Sequence, residues 1–329
     1  MPKHHSHHKT SHSSSFETGI KPPPPPTSKN PLGVFALQAN GIVLTSRMNC
    51  VTNVAVDGAT LRFGWSDFVL STGKYDFSKL TKSIEVAKQY NKQLGIYVAA
   101  LVDVPSSVKC LKIPTSGKHT YLAVPWDAGF LNAFLPFVVA LGAVADGQIN
   151  YIVLGGMGAT GESLLSKDPK VIAQLNELGG LDAWVGSCQK ITDAYAAAFK
   201  TSAFIFSAQN PYGDSPEGSS ALDSAVEPLA IKYPNRFGIK NSTLNANTKA
   251  RGLPNQLIAK YSATNPCGQQ FLTNSNGFGG LTLNGTVAET LDAGIALGDK
   301  FIEAYDIDTA NPKFANDFIN ASREMGARA

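Results

Sequence analysis

The chain has 329 residues, 43% hydrophobic and 16% charged, which is enough apolar material for one large core and excludes a generally disordered chain. Its 28 Lys+Arg against 25 Asp+Glu leave a formal net charge of +3 without long runs of one sign, so there is no electrostatic footprint for nucleic acid or an anionic membrane surface. No run approaches the roughly 20 consecutive apolar residues needed to span a bilayer. Neither a nucleic-acid nor a membrane partner is expected, and the sequence leaves the oligomeric state open.

Histidine and cysteine usage narrows the chemistry. His4, His5, His7, His8 and His12 cluster at the N-terminus, and His119 is the only histidine in the body. A multi-histidine metal site in the folded part is excluded, and neither a metal nor an organic cofactor is expected. His119 sits in the polar stretch Ser116–Tyr121 and reads as a surface residue, so a Ser-His-Asp triad is not supported. Carboxylates are therefore the expected agents of any catalysis. Cys50, Cys110, Cys188 and Cys267 form no C-x-x-C pair and read as scattered thiols, with one or two disulfides left open for a secreted chain.

In chain order, residues 1–30 are a low-complexity leader, expected to be disordered, whose Pro22–Pro26 run favours an extended polyproline spacer. Met1–Ser15 is polar and His-rich and lacks the apolar core of a signal peptide. The compartment stays open between a cytoplasmic chain and a secreted one whose signal has been removed.

Residues 31–329 alternate short apolar runs with longer helical patterns. The expected strands are Val34–Leu37 or Ile42–Leu44, then Ala59–Gly64, Leu94–Leu101, Tyr151–Gly155, Ala203–Ser207, Phe237–Asn241, Gln269–Thr273 and Lys300–Tyr305. Helical spacing marks Phe77–Tyr90, Ala128–Val144, Leu181–Phe199, Asp223–Tyr233 and Val287–Leu297. Eight strands, each followed by a helix or helix-like connection and with no domain break, predict an α/β chain folded as a single (β/α)8 TIM barrel.

Barrel sites are built at the carboxyl ends of the strands. At the second strand, Arg62 lies inside an apolar run and is expected to face the interior and pair with a carboxylate, either beside the site or under its floor. Trp65 either stacks on a sugar face or plugs the barrel. After the fourth strand, Gly156, Gly158 and Gly161 make a literal G-x-G-x-x-G. A dinucleotide site would need an immediate helix and an acidic residue ending a second strand about 20 residues on. Here the chain breaks early at Pro169, so the glycines read as a sharp turn or a close approach to ligand. Gln209 and Asn210 after the fifth strand, and Lys240 and Asn241 at the end of the sixth, are further polar rim residues.

The stretch Val56–Asp67, followed by Gly73-Lys-Tyr-Asp-Phe77 and a helix from Ser78, resembles retaining (β/α)8 glycoside hydrolases, more narrowly the β-galactosidase-type barrels of the large clan with its acid/base on strand 4. The likeness reaches weakly to Trp126-Asp127 and to Phe301–Tyr305. The resemblance implies an oligo- or polysaccharide partner, β-linked, with Glu162 as general acid/base, although Gly161 stands where that clan has Asn. It also implies a nucleophilic Glu at the end of strand 7, where this chain has Gln269 and Gln270. A glutamine cannot be the nucleophile, so Gln270 becomes a binding residue and Glu303 the remaining strand carboxylate. Glu303 is expected either to bridge to Arg62 or to complete a catalytic pair with Glu162. Arg62, Trp65, Asn210, Asn241, Gln270 and Tyr305 are the expected substrate contacts. A barrel that binds saccharide without turning it over is the competing expectation.

Overall fold

The computed structural model describes residues 29–116 and 118–328. The expected leader falls outside them except for its last two positions, of which Lys29 bridges Ser202.

The strands are β1 (Gly33–Asn40), β2 (Gly58–Gly64), β3 (Gln93–Ala99), β4 (Lys112–Pro114), β5 (Tyr121–Ala123), β6 (Tyr151–Val153), β7 (Ala203–Ser207), β8 (Phe237–Leu244), β9 (Gly268–Phe271) and β10 (Phe301–Tyr305). Eight of them close a parallel barrel in the order β1-β10-β9-β8-β7-β6-β3-β2, while β4 and β5 pair as an antiparallel hairpin. The expected (β/α)8 barrel is therefore the fold. The first strand is the Val34–Leu37 alternative, extended to Asn40; Ile42–Leu44 is loop.

The helices are α1 (Asn49–Thr52), α2 (Ser78–Gln89), α3 (Ala128–Ala145), α4 (Pro169–Glu177), α5 (Gly180–Ala198), α6 (Pro216–Lys232), α7 (Leu253–Tyr261), α8 (Val287–Ala296), α9 (Asp306–Thr309) and α10 (Ala315–Glu324). Helix α6 begins seven residues before its expected start at Asp223. Ser215 caps it by accepting the Gly218 N–H at 3.0 Å, and Pro216 sits where a missing N–H costs nothing. The hairpin, α7 and α10 were not expected; α10 packs a narrow stripe, Phe318 and Ala321 with Phe314 and Met325 at its ends, among polar residues.

Inside the barrel, side chains alternate with period two, and glycines on some strands make room for aromatics on others. A Cβ on Gly58 would lie 2.6 Å from the Phe35 ring, one on Gly95 2.2 Å from the Tyr151 ring, and one on Gly268 2.6 Å from the Phe301 ring. These three rings pack on one another with centroids 4.9–6.0 Å apart and fill the lower barrel. The barrel is thus plugged below, and a pocket lies toward the carboxyl ends of the strands.

Outside, α3 is apolar and long enough to cross a membrane by length and composition. Its apolarity has a local explanation. Phe130, Phe134 and Phe137 are fully buried and surround Trp65 with ring centroids 5.1–5.8 Å away. Trp65, 1% exposed, belongs to the layer between barrel and helix. All four cysteines are free.

Asp299 is another buried group in the outer layer, next to Gln269 and Gly294. Burial holds its carboxyl well above the ordinary carboxylate range, and the Gln269 amide opposes this only in part. A raised folded-state pKa contributes stability that is complete below the unfolded value, 3.8, and is lost as pH rises through the folded value. Asp299→Asn is therefore expected to remove part of the stability loss on going from pH 4 to pH 8, measured by urea unfolding at both; an unchanged pH slope would show that Asp299 does not titrate in this way. Trp65→Ala is expected to cost about 3–5 kcal/mol in the same assay, as for a large core truncation.

Candidate functional site

A pocket of about 400 Å³ opens at the carboxyl ends of the barrel strands. Its lining includes Arg62 and Gly64 from β2, Tyr97 and Ala99 from β3, Glu162 after β6, Ser207 from β7, Lys240 and Ser242 from β8, and Gln270 from β9. Asp67, Asp103, Lys118 and His119 reach it from loops. On β3 and β8 the lining residues, Tyr97 with Ala99 and Lys240 with Ser242, are two apart, as the inward period requires.

Beneath the floor lies Glu303, fully buried and paired with Lys240, which is 3% exposed. One carboxylate oxygen accepts from Lys240 Nζ; the other accepts from the Tyr151 hydroxyl at 2.5 Å. The Tyr151 oxygen in turn accepts from the Thr60 hydroxyl at 2.6 Å, and Thr60 Oγ1 lies 3.2 Å from the same carboxylate oxygen. Burial, then the Glu303 charge, pushes the Tyr151 hydroxyl well above its ordinary pKa, so it stays protonated and donates. Lys240 Nζ also donates to Gln270 Oε1 at 3.3 Å. This turns the Gln270 oxygen down toward the lysine and its N–H groups toward Tyr305 and the pocket.

Two expectations change here. The charge partner of Glu303 is Lys240, because the two meet across the interior, whereas Arg62 Nε donates to the Gln38 carbonyl at 2.7 Å. Glu303 also has no face on the pocket; with both oxygens engaged, it holds the floor.

Glu162 reaches the rim through a tight loop. After β6 the chain swings out through Gly155–Gly161 and returns so that Glu162 bridges Ser207 in parallel fashion. Ser163 fixes the return: its N–H donates to the Ser207 carbonyl at 2.9 Å, and its hydroxyl accepts from the Gln209 N–H at 2.7 Å. The glycines serve this loop. Gly158 packs against the Glu162 carbonyl, 1.8 Å from where its Cβ would be. Gly161 has φ +89°, and a Cβ there would lie 2.3 Å from the Tyr97 ring. No helix starts here, so the loop lacks the helix N-terminus that would hold a pyrophosphate.

Tyr97 therefore lies against the strand-4 loop beside Glu162. Burial raises its hydroxyl pKa, the Glu162 charge raises it further, and the Arg62 charge lowers it; Arg62 is its register partner on β2. Tyr305, partly buried, borders the same group: burial raises its pKa, while Arg62 and a hydrogen bond from Gln270 work the other way.

The remaining expected contacts lie elsewhere. Trp65 packs against α3. Asn241 points outward to Asn255 of α7 at 2.8 Å. Asn210 holds the turn before α6 through the Ser215 carbonyl and Ser219 hydroxyl, at 2.8 and 2.9 Å. His119, read as a surface residue, is half-buried and lines the pocket.

Asp103 was missed. It lies in the loop after β3, where no strand pattern marks it, but Gly64 does. A Cβ on Gly64 would lie 1.3 Å from Asp103 Oδ2, so the glycine exists to let that carboxylate lie across the barrel mouth. Its other oxygen accepts from the Ser66 hydroxyl at 2.7 Å. Asp67, by contrast, is occupied by the Gly64 N–H at 2.8 Å and by Lys79 at 3.4 Å.

No protein-family model matches the chain, and no curated protein matches it significantly. Solved structures do. A thermostable mutant of a xylanase (Xyn10A) from Cellvibrio japonicus superposes with a TM-score of 0.54 at 12% identity, covering 92% of this chain and 99% of that one. The catalytic domain of a β-amylase from Paenibacillus polymyxa gives 0.60 at 10% identity, covering 90% and 99%. The catalytic core of a xylanase A gives 0.50 at 14%, covering 84% and 87%. At these identities the likeness is one of fold, a (β/α)8 barrel shared with glycoside hydrolases.

Removing Lys240 alone leaves a buried, unpaired carboxylate. Lys240→Met is expected to cost about 3–5 kcal/mol by chemical denaturation, and Lys240→Met/Glu303→Gln to recover most of it; equal losses in both would mean that the pair is not what holds the floor. Gly161→Ala is expected to lower the melting temperature by several degrees, through positive φ and the Tyr97 contact together.

Proposed function

We propose that the protein is a glycoside hydrolase acting on a β-linked saccharide, with Glu162 as general acid/base. The observation that carries this reading is the placement of Glu162. It stands in the loop that follows the fourth barrel strand, beside Ser207 at the end of β7, and lines the pocket together with Arg62, Tyr97 and Gln270. The resemblance of Val56–Asp67 and Gly73–Phe77 to β-galactosidase-type barrels supports the same position for the acid. The xylanase and β-amylase likeness supports a saccharide-handling barrel.

In this reading Glu162 protonates the leaving glycosidic oxygen and then helps activate water. The second carboxylate is assigned to Asp103, in place of the strand 7 glutamate that the clan pattern leads one to expect. Glu303 holds Lys240 in place, and Gln270 donates an N–H to a sugar hydroxyl. No metal or cofactor enters the scheme.

A second reading, a barrel that binds saccharide without cleaving it, is favoured by one feature: the seventh strand offers Gln270, and the only strand carboxylate is locked to Lys240. The two readings separate in a screen of chromogenic β-glycosides and polysaccharides with the wild type, Glu162→Gln and Asp103→Asn side by side. Hydrolysis predicts a fall in kcat on the order of 10²- to 10⁴-fold for Glu162→Gln with the fold intact. Full turnover by Glu162→Gln would sink its assignment, and saccharide binding with no turnover in the wild type would establish the second reading.

A further inference from the structure

We propose that the pocket takes an acidic saccharide, whose uronate carboxylate seats on the free edge of the Arg62 guanidinium. The proposal rests on the saccharide reading above and specifies the substrate class of the same site.

Arg62 is partly buried, lines the pocket and takes part in no ion pair among the described residues. A half-buried arginine without a carboxylate is unusual, because part of its hydration is lost with nothing in return. Lys240, the neighbouring pocket cation, has the compensation that Arg62 lacks, in Glu303.

The guanidinium is also aimed. Its Nε donates to the Gln38 carbonyl at 2.7 Å, at the irregularity of β1 between Leu37 and Asn40, where Asn40 becomes the register partner of Arg62. Gln38 is itself held, its amide donating to Asp306 Oδ1 at 2.9 Å. Asp306 is thus spent on the side chain that sets Arg62, and does not meet Arg62 itself. With Nε occupied, the two terminal nitrogens remain. They form the edge that grips a carboxylate with two parallel hydrogen bonds. Neither is fully buried without a partner, and Arg62 lines the pocket.

The acids sharing the pocket do not fill this edge. Asp67 is bonded to Gly64 and Lys79, and Asp103 to Ser66. Glu162 forms no ion pair with Arg62 among the described residues. Lys118, exposed at the pocket mouth, adds a second positive charge on the entry side. A neutral sugar would meet the Arg62 edge with hydroxyls alone and leave the charge uncompensated; a uronate supplies the matching group.

The test is calorimetric binding in a full-length Glu162→Gln chain, so that turnover does not enter. The probes are a β-linked oligoglucuronate, its methyl ester, which keeps the shape and removes the charge, and the matching neutral β-glucan oligomer. The acid is expected to bind at least about tenfold more tightly than the ester. That preference should shrink as salt is raised and vanish in Glu162→Gln/Arg62→Gln, while Arg62→Lys, which keeps the charge and loses the fork, retains part of it. Melting curves of each variant establish that it is folded. Equal binding of acid and ester, or a preference that survives Arg62→Gln, overturns this inference and leaves the saccharide reading standing. Failure of all three probes to bind overturns both.

Discussion

A carboxylate inside a parallel barrel has no water to solvate it, and the disposition of Glu303 organises much of the rest of this molecule. Its charge is met by Lys240 from β8 and by Tyr151 from β6, to which Thr60 from β2 donates in turn, so four strands are tied through one group. Below it, the Phe35, Tyr151 and Phe301 rings seal the barrel against solvent, using the volume released by glycines on neighbouring strands. Above it, Lys240 and Gln270 form the pocket floor. Replacing such a network with apolar side chains of equal volume is often neutral for stability. Its retention is therefore better understood through what it presents upward: a fixed lysine and a glutamine whose oxygen is already occupied.

The barrel itself was legible in the sequence because eight β-rich runs in one chain leave few architectures open. Which side each polar strand residue faces was not. Strands buried on both faces show no apolar/polar alternation, so parity cannot be read from a single strand. Lys240 and Gln270 turn inward, while Asn241 and Gln269, one position away, turn outward to Asn255 and Asp299. Arg62 lines the pocket but is not the partner of Glu303: β2 and β8 are each two strands from β10, and the β2 residue level with Glu303 is Thr60, one inward position before Arg62. Trp65 lies one residue past β2, where the chain has already turned into a short helical segment and carried the indole out to α3. His119 and Asp103 sit in loops, where no periodicity applies.

The glycine motif after β6 shows how one pattern serves a different physical purpose. A dinucleotide loop uses its glycines to bring backbone N–H groups and a helix end to phosphate. Here Gly158 allows the loop to fold onto the Glu162 carbonyl, and Gly161 allows the Tyr97 ring to occupy the space of a side chain. The asparagine expected before the acid has no room, and a phenol stands beside Glu162 instead.

That exchange gives the two halves of the site a reason to lie together. Tyr97 stands on β3, where its register partner on β2 is Arg62, and its ring fills the space that Gly161 leaves open one residue before Glu162. The strand that carries the arginine, the strand that carries the tyrosine and the loop that carries the glutamate are thus joined through one ring at the pocket. A side chain at position 161 would displace either the ring or the loop, and the spacing between Glu162 and Arg62 would change with it.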